Sequence, residues 1–278
     1  MTQLTLTKHH GLGNDFLVAL DVDSDDLPTL ARQLCDRRRG IGADGLLVAE
    51  SLAGYAARMT LYNADGSRAE MSGNGIRCFA QAIAVRRGDF SDQLILTDAG
   101  DRLVSLAPTD DPATITATVE MGEVSVLDPP SNWDSLGCNP DRPVAHLSLG
   151  NPHSVVGVDE VSAVDLQTLG EQVPQINLEI VEPGPGPYDI TLRVHERGAG
   201  ITEACGTGAC AAAYAAMSWG LVSDNAHDGI QVHMDGGTAT VMFASDSPTR
   251  AVLTGPATII ATIEVALSEL ASATNGVQ

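Results

Sequence analysis

The sequence predicts an α/β (α+β) protein in two halves, each with a sheet wrapped around its own helix. The first observation is a duplication. Glu70-Met71-Ser72-Gly73-Asn74-Gly75 and Glu203-Ala204-Cys205-Gly206-Thr207-Gly208 share one skeleton at a constant offset of 133 positions, and Leu12-Gly13-Asn14-Asp15 matches Leu149-Gly150-Asn151-Pro152 at 137. Self-similarity at a fixed long period marks a unit used twice. The second is the shared grammar of the copies: an alternating, strand-like segment runs through a polar turn into a helix. The third is the count of elements, many short strands to one long helix in each half. A chain of 278 residues has room for two domains of ordinary size.

The bulk composition excludes several classes of function. Hydrophobic content of 44% supports real cores, and aromatics at 4% mean that those cores are aliphatic. A net charge of −21 repels phosphate backbones and anionic membranes, which argues against nucleic-acid partners. Five cysteines without a CxxC spacing, and an N-terminus without an apolar signal core, point to a reducing, cytoplasmic setting. The stretch from Ala204 to Ser223 is uncharged, but its Gly, Ala, Ser and Thr are too weakly apolar for lipid and suit a buried central helix, so no membrane partner is expected.

In order, residues 4–8 alternate as a strand, and 9–15 read as a glycine-rich turn in which His9 and His10 are turn features. Leu27 to Arg39 has helical spacing, with Arg37, Arg38 and Arg39 where a helix dipole favours cations. A turn over 40–45 leads to a strand at 46–48. The first repeat follows as a strand at 58–62, a turn at 63–67 and a helix from about Asn74 to Arg87. Residues 94–97 and 102–106 form a hairpin, 114–120 a strand, and 128–143 a proline-rich loop. The second half repeats this: strands at 144–149 and 154–158, a short helix at 162–170, strands at 177–181 and 190–195, a turn at 196–200, and the helix after Cys205. Late strands fall at 230–234, 238–243, 250–254 and 258–267, the last returning to the first half.

Glycines ahead of a helix leave backbone N–H groups uncovered, which makes an anion site. Asn74 and Thr207 are each candidate N-caps. Cys205, at such a helix start, is expected to have a lowered pKa and to act as base or nucleophile, with Glu196 and His153 near it. Cys78 and Cys210 read as core, Cys35 and Cys138 carry no signal, and His227 and His233 read as surface. Two such loops facing one small anionic substrate across a cleft suit proton removal on one face and delivery on the other, if both carry thiols. A cysteine hydrolase using Cys205 with His153 or His195 is the competing reading, and it leaves the duplication unexplained. No clustered metal ligands, dinucleotide or P-loop motif, or lysine suited to a Schiff base is present, so neither metal nor cofactor is expected.

With those motifs in hand, the chain resembles the diaminopimelate epimerases, pyridoxal-independent enzymes that interconvert LL- and meso-diaminopimelate. The matching segments are 10–16, 40–45, 63–67, 71–77, 150–153, 195–200 and 204–208, in the family's order. The resemblance implies two pseudo-symmetric domains, 1–118 plus 262–278 and 119–261. Each would be a curved, mostly antiparallel sheet around a central helix, with the site in the cleft between them, and the protein would be a homodimer. It implies that Asn14, Asn63, Asn151, Asn177 and Arg197 hold the distal end of the substrate. Gly73, Asn74, Gly206 and Thr207 would cradle the reacting carboxylate, Glu196 and His153 would assist proton movement, and Cys205 would be one of two catalytic acid/bases.

The family's other cysteine is replaced here by Ser72, in Met71-Ser72-Gly73-Asn74-Gly75. A serine hydroxyl is a poor base, and losing one base costs typically about 10²–10⁴-fold in rate. Three explanations stand: an engineered replacement, a relative performing one-base isomerisation or dehydration, or a relative that binds amino acids without turning them over. Ile201, where the family usually has glutamate, is a tolerated difference.

Overall fold

The computed structural model describes residues 3–22, 24–223 and 229–266; His227 lies outside them. The first half runs β1 (Gln3–Gly11), β2 (Asn14–Ala19), α1 (Leu27–Cys35), β3 (Gly45–Glu50), β4 (Ala57–Asn63), β5 (Arg68–Ala69), α2 (Gly73–Arg87), β6 (Gln93–Thr97), β7 (Gly100–Pro108) and β8 (Thr114–Glu123). After β9 (Ser125–Val126) the same succession recurs. It comprises β10 (Val144–Ser148), β11 (Pro152–Gly157), α3 (Leu166–Gln172), β12 (Asn177–Pro183), β13 (Asp189–Glu196), β14 (Gly200–Thr202), α4 (Gly206–Ser218), β15 (Ile230–Met234), β16 (Gly237–Ala244) and β17 (Ser247–Ala266).

Pairing follows the succession. β2 with β3 and β4 with β6 are parallel, as are their counterparts β11 with β12 and β13 with β15; the other ladders are antiparallel. In the first half the ladders close on themselves, because β8 pairs with β17 and β17 pairs with β1. In the second half β16 pairs with β17, and β9, continuing β8, pairs with β10. Both halves therefore share β8 and β17, and cuts at 118/119 and 261/262 fall inside these continuous strands.

The sequence suggests two strands around Gly255-Pro256, yet β17 runs through. The reason is local: β16 pairs with β17 only up to Thr254, and β1 begins at Thr258. Pro256, which has no N–H to donate, sits in the gap between these two ladders, and its carbonyl accepts from Arg77 Nε at 3.2 Å.

Three other expectations are corrected. α1 ends at Cys35, because the chain turns at Asp36 and Arg37 leaves to bind the carboxylates of Asp15 and Asp44, each at 2.7 Å. The turn after β1 is only Leu12-Gly13, so His9 lies within a strand, fully buried between Gln81 and Thr7. The α2 and α4 caps are Ser72 and Cys205, not Asn74 and Thr207, since those side chains accept the N–H of Gly75 and Gly208.

α2 and α4 are buried along most of their length and share one apolar core with the surrounding strands. Small side chains make this possible in α4, where Gly, Ala, Cys and Thr allow strands to pack on every side. Gly88 ends α2 in the left-handed conformation, φ 63°, with Arg86 and Arg87 in the last turn. Among the described residues no helix is long and apolar enough to cross a membrane.

Candidate active site at two opposed helix N-termini

The starts of α2 and α4 meet. A Cβ on Gly73 would lie 2.8 Å from Gly206 Cα, and one on Gly206 would lie 2.7 Å from Gly73 Cα, so only glycine permits this approach. Uncovered N–H groups of both helices thus converge on one spot, where two dipoles favour an anion. At the head of each helix the capping side chain is held alike. Ser72 Oγ accepts from Gly75 N at 3.0 Å, and Cys205 Sγ accepts from Gly208 N at 3.4 Å.

Around this junction the two loops brace each other. Asn74 Nδ2 donates to Ala204 O (2.8 Å) and to Asn14 Oδ1 (3.2 Å), while Asn151 Nδ2 donates to Thr207 Oγ1 (3.1 Å). Arg77, fully buried, fixes Asn74 by donating to its Oδ1 at 2.8 Å and to Gly73 O at 2.9 Å. No carboxylate pairs with Arg77 among the described ion pairs, and burial pushes its pKa down to about 10.

A cavity of about 50 Å³ opens beside the junction, lined by Asn14, Asn63, Ser72, Asn151, Asn177, Glu196 and Arg197, all singled out from sequence. Cys205, His153, Gly73, Asn74, Gly206 and Thr207 are brought to the same place but lie buried behind the lining. At the outer side Arg197 Nη2 pairs with Glu70 Oε2 at 2.6 Å, joining the two halves, and Asn177 Oδ1 accepts from Arg197 N at 2.9 Å. Asn63 donates to Ser67 Oγ at 3.0 Å, and Asn14 donates to Asp44 at 2.7 Å.

The electrostatics of the thiol differ from the sequence expectation. Burial, with the carboxyls of Glu196 and Glu179 nearby, holds the Cys205 thiol well above its ordinary pKa, outweighing the Thr207 hydroxyl and the Gly208 N–H. Burial also raises Glu196, against the hydrogen bonds from Thr202 (2.5 Å) and Cys205. The other buried thiols, Cys35, Cys78 and Cys210, are pushed up to about 12 by burial and are inert in the core. Cys138 is half-buried in the loop before β10 and does not line this cavity.

Sequence reasoning missed Asp44, Thr202 and Glu70 at the cavity, and Glu179 beneath it. Glu179 carried a signal: it is a carboxylate inside the apolar strand Leu178-Glu179-Ile180-Val181. His195, the alternative partner for Cys205, instead packs its ring against Gly170 in α3, where a Cβ would lie 2.1 Å from the ring. Among the described residues no group of His, Cys, Asp or Glu side chains is arranged to hold a metal ion.

Known proteins resemble this chain at two levels. A chain from Bacillus anthracis described as a phenazine biosynthesis protein of the PhzF family has the same fold, with a TM-score of 0.72 at 14% identity over 96% of this chain and 100% of its own. Closer in sequence, the diaminopimelate epimerase of Halothermothrix orenii is 33% identical over 96% of this chain and 99% of its own length. That of Nostoc punctiforme is 36% identical over 91% and 96%. The diaminopimelate epimerase family matches residues 6–127 and 146–260, which carry both helix junctions and every residue placed at the site above, and the chain belongs to that family.

Proposed function

We propose that the cleft takes 2,6-diaminopimelate and that Cys205 and Ser72 face opposite sides of its reacting α-carbon. The two halves, 1–118 with 262–278 and 119–261, act as pseudo-symmetric domains with the site between them. The observation that carries this reading is the equivalent placement of Ser72 and Cys205, as N-caps of two helices whose first glycines touch.

In this reading the reacting carboxylate lies at the joined N-termini, cradled by Gly73, Asn74, Gly206 and Thr207, where N–H groups stabilise the enediolate that forms when the α-proton leaves. The distal end of the substrate meets Asn14, Asn63, Asn151, Asn177 and Arg197. Its carboxylate and ammonium replace the partners that Arg197 and Glu70 now find in each other. The α-ammonium, brought against Glu196, offsets the negative charge that together with burial keeps Cys205 protonated, and the thiol becomes a usable base.

Cys205 then takes the α-proton as thiolate, leaving a thiol and a carbanion. Inversion needs a proton from the other face, and Ser72 is a poor donor compared with a thiol. The proton on Cys205 therefore returns to the face it left, which gives isotope exchange at one epimer with little inversion. Restoring the thiol with Ser72→Cys is the test: epimerisation of LL- and meso-diaminopimelate should rise by about 10²–10⁴-fold. A folded Ser72→Cys protein that is inactive on both epimers would refute the substrate.

The single thiol also favours a second reading, a one-base amino-acid isomerase or dehydratase, or a protein that only binds its amino acid. Turnover of a different amino acid by the unmodified chain would establish the former, and tight binding without deuterium wash-in the latter. The family resemblance further supports a cytoplasmic homodimer that uses no cofactor, and light scattering tests the dimer.

A further inference from the structure

The two loops rest on different side chains. Gly75, three residues after Ser72, faces Leu47, and Gly208, three after Cys205, faces Glu179, whose Oε1 lies 2.8 Å from where a Cβ would be. On the adjacent parallel strand, Phe16 in β2 and His153 in β11 correspond, each standing two residues before the partner of Leu47 or of Glu179. The first half thus has an apolar pair beneath its loop, and the second has a carboxyl and an imidazole, both with no exposed side-chain surface.

The hydrogen bonds of that buried pair lead to the sulfur. Glu179 Oε1 lies 2.6 Å from His153 Nδ1, and Glu179 Oε2 has no partner. His153 Nε2 meets Asn151 Oδ1 at 3.0 Å, Asn151 Nδ2 donates to Thr207 Oγ1 at 3.1 Å, and Thr207 Oγ1 lies 3.5 Å from Cys205 Sγ. With the amide in this orientation Nε2 must carry a hydrogen. A second proton must then lie between Nδ1 and Oε1, and the pair as a whole is neutral. Each link donates toward Cys205, and the last donor is the Thr207 hydroxyl. Without that second proton on the pair, Nε2 would accept, the amide would turn over, and Thr207 would donate away from the sulfur.

We propose that Glu179 is a positioning residue: by keeping a proton on its pair with His153, it orients the Asn151–Thr207 chain so that a hydroxyl donates to Cys205 and stabilises the thiolate. This rests on the reading of Cys205 as the working base. The groups facing the sulfur are Thr207 and the Gly208 N–H from α4, Glu179 from β12 and Glu196 from β13; Glu179 in turn faces His153 and Glu196. Burial raises the Glu179 carboxyl, in keeping with a shared proton.

The test uses the full chain without substrate. Iodoacetamide alkylation of the peptide containing Cys205 is followed by mass spectrometry across pH, for the unmodified protein, Glu179→Gln, and the double variant Glu179→Leu/His153→Phe. The double variant installs the apolar pair that the first half already tolerates, so it decides the matter if Glu179→Gln does not fold. The double variant, which removes the shared proton and the Nε2–H together, should move the alkylation midpoint upward by one pH unit or more, about a tenfold loss of thiolate at a given pH, as expected for losing a hydrogen bond to a charged group. Glu179→Gln, whose amide N–H can donate to His153 Nδ1 in place of that proton, should leave it where it is. An unchanged midpoint in the double variant overturns the proposal. So does a downward shift, which is what removing a nearby negative charge alone would produce. Because no substrate is involved, this result is independent of whether Ser72→Cys epimerises diaminopimelate.

Discussion

The loop before α2 and the loop before α4 share a backbone and differ in what lies beneath it. Both turn into a helix at a capping Oγ or Sγ, and both bring a glycine against the glycine of the other. Under Ser72 the neighbouring strand supplies Leu47, while under Cys205 it supplies Glu179 bonded to His153. The glycine-led helix start is thus built twice by backbone, whereas the side chains at the cap and beneath it differ between the two loops.

The largest break in this comparison is the cap itself. Ser72→Cys should raise epimerisation by about 10²–10⁴-fold. In that background Cys205→Ser should take the gain away again, because inversion needs both faces. Deuterium wash-in from D₂O separates the two sides: the unmodified chain should exchange one epimer only, and a chain that exchanges neither would sink the assignment of Cys205 as base.

The histidines His9 and His146 make a second contrast: they stand 137 positions apart in β1 and β10 but one step out of register, since His9 pairs with Phe16 whereas Leu147, not His146, pairs with the corresponding His153. His9 is fully buried, and burial lowers its pKa from 6.5 to about 4, whereas half-buried His146 is lowered less drastically. For His9 the folded pKa lies below the unfolded one, so the folded state prefers the neutral ring. Its contribution is intact above the unfolded value and is lost as pH falls through the folded one. Over that window about 3 kcal/mol of stability should go. Urea midpoints at neutral pH and near pH 4 should show a loss that shrinks in His9→Gln and hardly changes in His146→Gln. Equal effects of the two substitutions would show that deeper burial does not set His9 apart from His146.

Much of this was legible in the chain because the signals are local. The repeated Glu-x-[Ser/Cys]-Gly-x-Gly skeleton identified both helix starts, and the asparagines and Arg197 around the cavity came with their motifs. What was not legible depends on contacts distant in sequence. That β17 continues through Pro256 follows from where β16 stops and β1 begins, and the shared strands β8 and β17 follow from sheet closure. The Cys205 pKa was misjudged in direction because a helix N-terminus is visible in sequence, whereas burial beside Glu179 and Glu196 is not. Glu179 escaped for a further reason. It aligns with Leu47 only at an offset of 132, one short of the repeat, as the pairings Leu46 with Tyr62 and Leu178 with His195 reveal.

Where the halves are alike, perturbations should be alike. Gly73→Ala and Gly206→Ala each place a methyl within 2.8 Å of the opposing backbone, which can only part the helices. Overpacking of this kind costs about 1–3 kcal/mol, and chemical denaturation should give closely similar values for the two. A large difference would mean that the contact is less symmetric than its geometry.

The smallest effects should divide the loops most cleanly. A Cβ on Gly75 would touch Ser72 and Leu47 at 3.1–3.4 Å, where an aliphatic side chain can yield by a few tenths of an ångström. Replacing glycine by alanine inside a helix gains up to about 1 kcal/mol in propensity, so Gly75→Ala should come out near neutral in stability. A Cβ on Gly208 would lie 2.8 Å from Glu179 Oε1, an atom held by His153, and 3.3 Å from Cys205 Sγ. It cannot be relieved without disturbing the hydrogen bonds that lead to the sulfur. Gly208→Ala should therefore lose the propensity gain and shift Cys205 alkylation in the same direction as Glu179→Leu/His153→Phe, while Gly75→Ala leaves that profile alone. Matching profiles for the two alanine variants would mean that the buried carboxyl beneath the second loop matters no more to Cys205 than the leucine beneath the first.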